Sequence, residues 1–152
     1  MQIKFQKLRP DAKIPVKAGA LEAGIDITTV DYAQLAPGES YVFHTGLAAA
    51  IDEGYCVVLF DRSGMGAKRN IHRLAGVIDC TYRGEILVCL VNLSDDTQFI
   101  QPSDKIIQGL VLPVPEVSIV EVNTLDETER GSKGFGSTDN PVEPQYQRVT
   151  DI

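Results

Sequence analysis

The sequence predicts an all-β domain of the sandwich, jelly-roll or barrel type, and three observations carry that prediction. Short runs of alternating apolar and polar residues recur over most of the chain. Turn-forming groups separate them at close intervals: Pro37-Gly38, Glu53-Gly54, Arg83-Gly84, Ser94-Asp95-Asp96 and Pro113 to Pro115. Only one short stretch has a helical pattern. At 152 residues the chain is most simply one domain with a sizeable core.

Taken in order, Ile3 to Leu8 alternates and opens the set of strands. Gly24 to Val30 follows, with an acid, Asp26, at an alternating position. Ser40 to Thr45 and Leu47 to Ile51 read as two strands broken at Gly46. Tyr55 to Phe60 is a continuous apolar run and therefore a buried strand. Ser63 to Asn70 is the one helical candidate, with Ser63 as its N-cap, weakened by two glycines. Val77 to Asp79 and Glu85 to Leu93 flank an Arg-Gly turn and read as a β-hairpin, with Asp79 and Tyr82 near its bend. Lys105 to Leu112 and Ser118 to Val122 complete the strands. No internal repeat is evident.

The expected domain is 1–122, followed by a glycine-rich arm, 123–138, and a polar tail, 139–152. Ordering the nine residues Arg130 to Thr138 costs roughly 1–2 kcal/mol of backbone entropy each. With so little apolar surface, this arm is expected to stay mobile until a ligand or a neighbouring subunit fixes it.

A formal net charge of −7 argues against bulk binding to nucleic acid or to anionic membrane, though it leaves room for a small local anion site. No run is long enough to span a bilayer, and the alternating start, Met1 to Pro10, is unlike a signal peptide. Cys56, Cys80 and Cys89 are odd in number, lie in or beside apolar runs and form no CxxC pair. Buried thiols in a reducing, cytoplasmic setting are the expectation.

Several segments carry chemistry. Asp79 follows Gly76-Val77-Ile78, so a carboxylate stands after small and apolar residues; a partly desolvated acid there needs a partner or a task, such as general-base activation of water. A turn acid is the plainer reading. Arg62-Ser63-Gly64 joins a strand to a helix, where free backbone N–H groups favour anions. At Asp26 a surface or structural acid is the default and a water-mediated metal contact the sharper alternative. Gln108 offers a hydrogen bond to a ligand or to the backbone. The segment Arg130 to Thr138 lacks the Lys-Ser/Thr step of a P-loop, because Gly134 follows Lys133. Its isolated Phe135 suits stacking on a base, and Arg130 and Lys133 suit phosphates.

Five blocks in this order, AGIDI, RSG, GVIDCTYRGE, SDKIIQ and RGSKGFGST, resemble the five motifs of the homotrimeric dUTP pyrophosphatase (dUTPase) family, from about Ile3 to Thr138. The third and fifth are the most specific. The resemblance implies a jelly-roll-like β-barrel, a homotrimer with sites at subunit boundaries, and hydrolysis of dUTP to dUMP and pyrophosphate, lowering dUTP and supplying dUMP for thymidylate synthesis. It casts Asp79 as the acid that deprotonates the attacking water. Tyr82 would pack under the deoxyribose, and the backbone of Gly76, Val77, Ile78 and Leu87 would read the uracil. Arg62, Ser63, Gly64 and Gln108 would hold phosphates. Arg130 would clamp the terminal phosphate, while Phe135 and Gly136 close over the base from another subunit. Mg2+ is expected on the triphosphate, with Asp26 reaching it through water.

Departures from that pattern are Thr81 where an acid is frequent, Asp61 in place of proline, and Lys133 and Asp139 in place of glycines. Three rivals follow. A dCTP deaminase of the same fold would need a glutamate where this chain has Arg83, which cannot act as a base. A nucleotide-sensing regulatory trimer would keep the pocket and lose turnover. A capsid-like jelly roll would not need the ordered motifs.

Overall fold

A computed structural model describes residues 1–17 and 19–133. Its first compact unit is Met1–Val117. Ten strands build it: β1 (Ile3–Lys7), β2 (Ile25–Thr28), β3 (Ala33–Leu35), β4 (Ser40–Ile51), β5 (Tyr55–Phe60), β6 (Ile71–Leu74), β7 (Val77–Asp79), β8 (Glu85–Asn92), β9 (Gln98–Ile100) and β10 (Lys105–Pro113). One helix, α1 (Ser63–Arg69), interrupts them between β5 and β6. Two four-stranded sheets, β1-β4-β8-β6 and β2-β10-β5-β7, and a two-stranded ribbon, β3-β9, are antiparallel throughout. The expected all-β jelly-roll class is what the strands form.

The core draws on both sheets. Phe43, Val88, Leu90 and Ile71 come from the first, and Ile27, Leu59, Ile106 and Ile107 from the second; all are buried together with Met65 of α1. Burial of this kind is the main favourable contribution to folding, about 1.5–3 kcal/mol for each large apolar side chain. The buried polar group Asn92 is fully used. Its Nδ2 donates to Leu35 O and Asp96 O at 2.9 and 2.8 Å, and its Oδ1 accepts from Ser94 N at 2.9 Å, pinning the end of β8 to β3.

Four expectations are corrected. β4 is one strand through Gly46 and not two: this residue takes φ +68° at a register shift opposite Glu85, and an added Cβ would lie 2.8 Å from that of Ala12. A bulge bends the strand without ending it. Next, Val77–Asp79 and the strand after the Arg-Gly turn are not a ladder-paired hairpin. β7 pairs with β5 in the second sheet, whereas β8 pairs with β4 and β6 in the first. The helix start also differs: Arg62 is the N-cap and no side chain caps it. Finally, Ser118–Val122 has no strand assigned to it. It alternates, but Pro113 and Pro115 precede it and none of the described strands pairs with it.

The second compact unit starts at Ser118. Its described part has no helix or strand, exposes Ile119, Val120, Val122 and Leu125, and ends in a turn in which Gly131 N donates to Thr128 O.

Candidate active site

Because β7 and β8 leave for different sheets, a slot opens between them. It is a cavity of about 280 Å³ lined by Gly76, Val77, Ile78 and Asp79 on one side and by Tyr82, Glu85 and Leu87 on the other. Its floor includes Leu59 and Val88, and Arg73 of β6 also faces it. The strand β7 is held on its outer side by the ladder to β5, Cys56 opposite Asp79 and Val58 opposite Val77. Leu59 N donates to Gly76 O at 2.7 Å. The slot wall is thus rigid backbone.

Asp79 ends that wall. Its carbonyl accepts from Tyr82 N at 3.1 Å, which forms the turn, and its carboxylate has no hydrogen bond among the described residues. The expectation of a partly desolvated acid is corrected: within one chain Asp79 is exposed. The ring of Tyr82 is 43% exposed, with its hydroxyl donating to Glu85 O at 2.9 Å, so a flat face is presented and its edge is tethered. The same Glu85 uses its carboxylate on β4, accepting from Gly46 N at 2.7 Å and meeting His44 Nδ1 at 2.9 Å. Burial pulls the Glu85 carboxyl up, but the bonds from His44 and Gly46 outweigh it and hold the group below its ordinary range. The same bond raises His44.

A second, polar cavity of about 430 Å³ is lined by Glu22, Gly24, Asp26, Arg62, Ser63 and Gln108, among others. It lies at the junction of β5 and α1. Met65 N and Gly66 N both donate to Arg62 O, so the earlier amides of the first turn, at Ser63 and Gly64, have no helical partner. The Ser63 hydroxyl makes no capping bond among the described residues. Arg62 is held in place: Nε donates to Asp26 Oδ1 at 2.7 Å and Nη2 to Asp26 Oδ2 at 3.3 Å. Lys105 Nζ meets Asp26 Oδ2 at 3.0 Å. Burial pushes the Asp26 carboxyl up, yet Lys105 and Arg62 together keep it below its usual value. Gln108 Nε2 donates to Asp61 O at 2.8 Å, and Gly24 packs so closely on its carboxamide that a Cβ there would overlap Gln108 Oε1. A larger residue at 24 would therefore require the Gln108 carboxamide to shift.

Asp61, the departure next to Arg62, is absorbed structurally. Its carboxylate accepts from Arg73 N at 3.0 Å and meets His72 Nδ1.

The sequence therefore located both clusters, and the structure separates them. Gly76, Val77, Ile78, Asp79, Tyr82 and Leu87 line one cavity, and Asp26, Arg62, Ser63 and Gln108 the other, with no residue in common. Gly64 lies beside the second, its Cβ direction open. Arg130 is exposed in the second compact unit, its Nε donating to Lys133 O at 3.3 Å. Phe135 and Gly136 lie outside the described residues. Arg73 was missed, although its charge between two apolar residues, Ile71 and Leu74, was a visible signal.

A strand-built domain with a ring-sized slot ending in an acid, and a separate cradle of cation, hydroxyl and free amides, defines a nucleotide-handling β-barrel. The chain belongs to the dUTPase family, which it matches over residues 10–139. It is similar to the deoxyuridine 5'-triphosphate nucleotidohydrolase of Wolinella succinogenes, 42% identical over 140 residues that cover 91% of this chain and 94% of that one. The enzyme of the same name from Nautilia profundicola is 41% identical, with 91% and 99% covered. Among solved structures, the Staphylococcus bacteriophage 80alpha dUTPase with dUPNHPP superposes with a TM-score of 0.83 at 25% identity, covering 90% of this chain and 98% of that one.

Proposed function

We propose that the chain hydrolyses dUTP to dUMP and pyrophosphate, with Asp79 as the general base. The observation that carries this is a bare carboxylate on a rigid strand at the end of a slot wide enough for one ring. Water lying against Asp79 gives up a proton to the carboxylate as its oxygen attacks the α-phosphorus. The P–O bond to the β-phosphate breaks in line, and pyrophosphate leaves with the electron pair. The slot takes the uracil at the Gly76 end and the deoxyribose over Tyr82, where a ribose 2′-hydroxyl would collide with the ring. Backbone donors and acceptors on Gly76 to Ile78 pair with uracil and leave a buried group unpaired against cytosine.

Direction supports site sharing between copies. Along β5, Gly76 lies beside Leu59 and Asp79 opposite Cys56, so a nucleotide laid from base to phosphate runs away from Phe60 and Arg62. Cys56 to Phe60 already spans about 13 Å. The phosphates thus meet the cradle of a second copy, Arg62, Ser63, Gly64 and Gln108, and a closed ring of three such contacts makes a homotrimer. In this arrangement the arm with Arg130, Phe135 and Gly136 closes a site of a neighbouring subunit. The apolar residues exposed from Val114 to Leu125 suit burial between subunits.

Among the described residues, no three or more His, Cys, Asp and Glu are placed to hold a metal. Asp26 already accepts three hydrogen bonds from Arg62 and Lys105. Its remaining lone pair fits a water of a Mg2+ carried by the triphosphate and does not suit direct ligation. Bound there, Mg2+ would offset charge on the phosphate oxygens. No described helix is long and apolar enough to cross a membrane; the cytoplasmic setting rests on the free cysteines alone.

A panel of dUTP, dTTP, dCTP and UTP with pyrophosphate detection tests the proposal. Selective release from dUTP is expected. Tight dUTP binding without turnover would favour a sensor, and ammonia from dCTP would favour a deaminase.

A further inference from the structure

We infer that Asp61 is a positioning residue for the phosphate cradle: its carboxylate holds the peptide whose carbonyl aims the Gln108 amide at the substrate. The inference rests on the dUTP reading above and adds to it a residue that does not itself line the cavity. Asp61 stands between Phe60, the last residue of β5, and Arg62, the N-cap of α1, and it touches three elements. Toward β6, its carboxylate accepts from Arg73 N at 3.0 Å and meets His72 Nδ1. Toward β10, its carbonyl accepts from Gln108 Nε2 at 2.8 Å. Toward α1, its Cβ lies 3.4 Å from where a Cβ on Gly66 would be. No side chain caps α1, so the turn from strand to helix depends on the bonds that Asp61 and Arg62 make to other elements.

Chemistry makes that carbonyl matter. A carboxamide presents donors at one end and an acceptor at the other, and only the donors suit a phosphate oxygen. A backbone carbonyl can only accept, so Asp61 O takes Nε2 and leaves Oε1 turned toward Gly24. The second N–H of Nε2 has no protein partner among the described residues, and Gln108 lines the cavity. A carbonyl that drifts from this direction lets the carboxamide turn over and set its oxygen against phosphate. Every residue type supplies a carbonyl at position 61; the carboxylate fixes where it points. Proline would hold the backbone here through its ring. Asp61 holds it through β6, and the same bonds turn its negative charge to His72 and Arg73 N.

The test measures binding of two probes: a non-hydrolysable dUTP analogue with nitrogen between its α- and β-phosphates, and deoxyuridine, which has no phosphate and reports on the slot alone. The chains compared are the parent, Asp61→Ala, Asp61→Asn, Gln108→Ala and the double variant Asp61→Ala, Gln108→Ala. Asp61→Ala is expected to weaken the analogue about 5- to 10-fold, the contribution of one hydrogen bond, and to leave deoxyuridine unchanged. Asp61→Asn keeps an acceptor for Arg73 N, so it should recover most of that loss; it also guards against misfolding of the alanine variant. In the Gln108→Ala background, Asp61→Ala should add nothing further. Equal losses for both probes would show general loosening and overturn the inference. So would an undiminished loss in the Gln108→Ala background, or no loss in Asp61→Ala. Each of those results leaves dUTP hydrolysis by the parent standing, whereas a parent that releases no pyrophosphate from dUTP removes the reading beneath the inference.

Discussion

The cradle around Arg62 and the slot around Asp79 are opposite kinds of site. In the cradle the polar groups facing Arg62 are already engaged: Arg62 with Asp26, Asp26 with Lys105, and Gln108 with the backbone of Asp61. In the slot the walls are rigid, but the acid proposed as the base has no side-chain hydrogen bond among the described residues. The difference teaches a division of labour. Donors proposed to hold phosphate are preorganised within one chain, so little ordering remains to be done when substrate arrives. Asp79, the proposed base, is left unpaired and exposed, open to a nucleotide and its water.

Substitutions sharpen that contrast, because the two regions should fail in different kinetic constants. The largest effect is expected for Asp79→Asn: turnover falls by roughly 10²–10⁴ while dUTP still binds and the melting temperature is unchanged. A variant with normal kcat would remove Asp79 from the chemistry. Asp26→Asn should act the other way. Arg62 loses its charged partner, and KM rises about 10- to 100-fold with a smaller change in kcat. Gly24→Ala displaces the Gln108 carboxamide only, so a KM increase of about 2- to 10-fold is expected, and Gln108→Ala should mask it.

The smallest effect concerns the support behind the slot. His44 titrates above its ordinary value because of Glu85, so the bond contributes fully below about pH 6.5 and is lost as pH rises through the raised value. His44 is about half exposed, so screening keeps the contribution small. A slight fall in melting temperature from pH 6 to pH 8, absent in His44→Gln, is the expected signature in thermal melts.

Most of the barrel was legible because its strands obey period two or are wholly apolar. Tyr55–Phe60 and Val77–Asp79 fall where the pattern places them. Ala33–Leu35 and Gln98–Ile100 were not, since three residues are too few to establish a period. Ile71–Leu74 was hidden by His72 and Arg73, polar residues that serve Asp61 and the slot and break the expected alternation. That omission also concealed Arg73. The hairpin reading failed for another reason. Local pattern identifies a strand, but only tertiary packing chooses its partner, and β7 found β5 in the other sheet. Ser118–Val122 carries the pattern of a strand, and no described strand of its own chain pairs with it.

The central claim is that Asp79 of one chain and the Arg62 cradle of another act on the same nucleotide, and subunit mixing tests it most directly. Asp79→Asn and Arg62→Ala chains, each inactive alone, are refolded together in equal amounts and the mixed trimers confirmed by mass. Sites built across subunits predict recovery of about one quarter of parent activity, since one ordered pair in four then unites an intact Asp79 with an intact Arg62. Mixed trimers no more active than either variant alone would contradict the account.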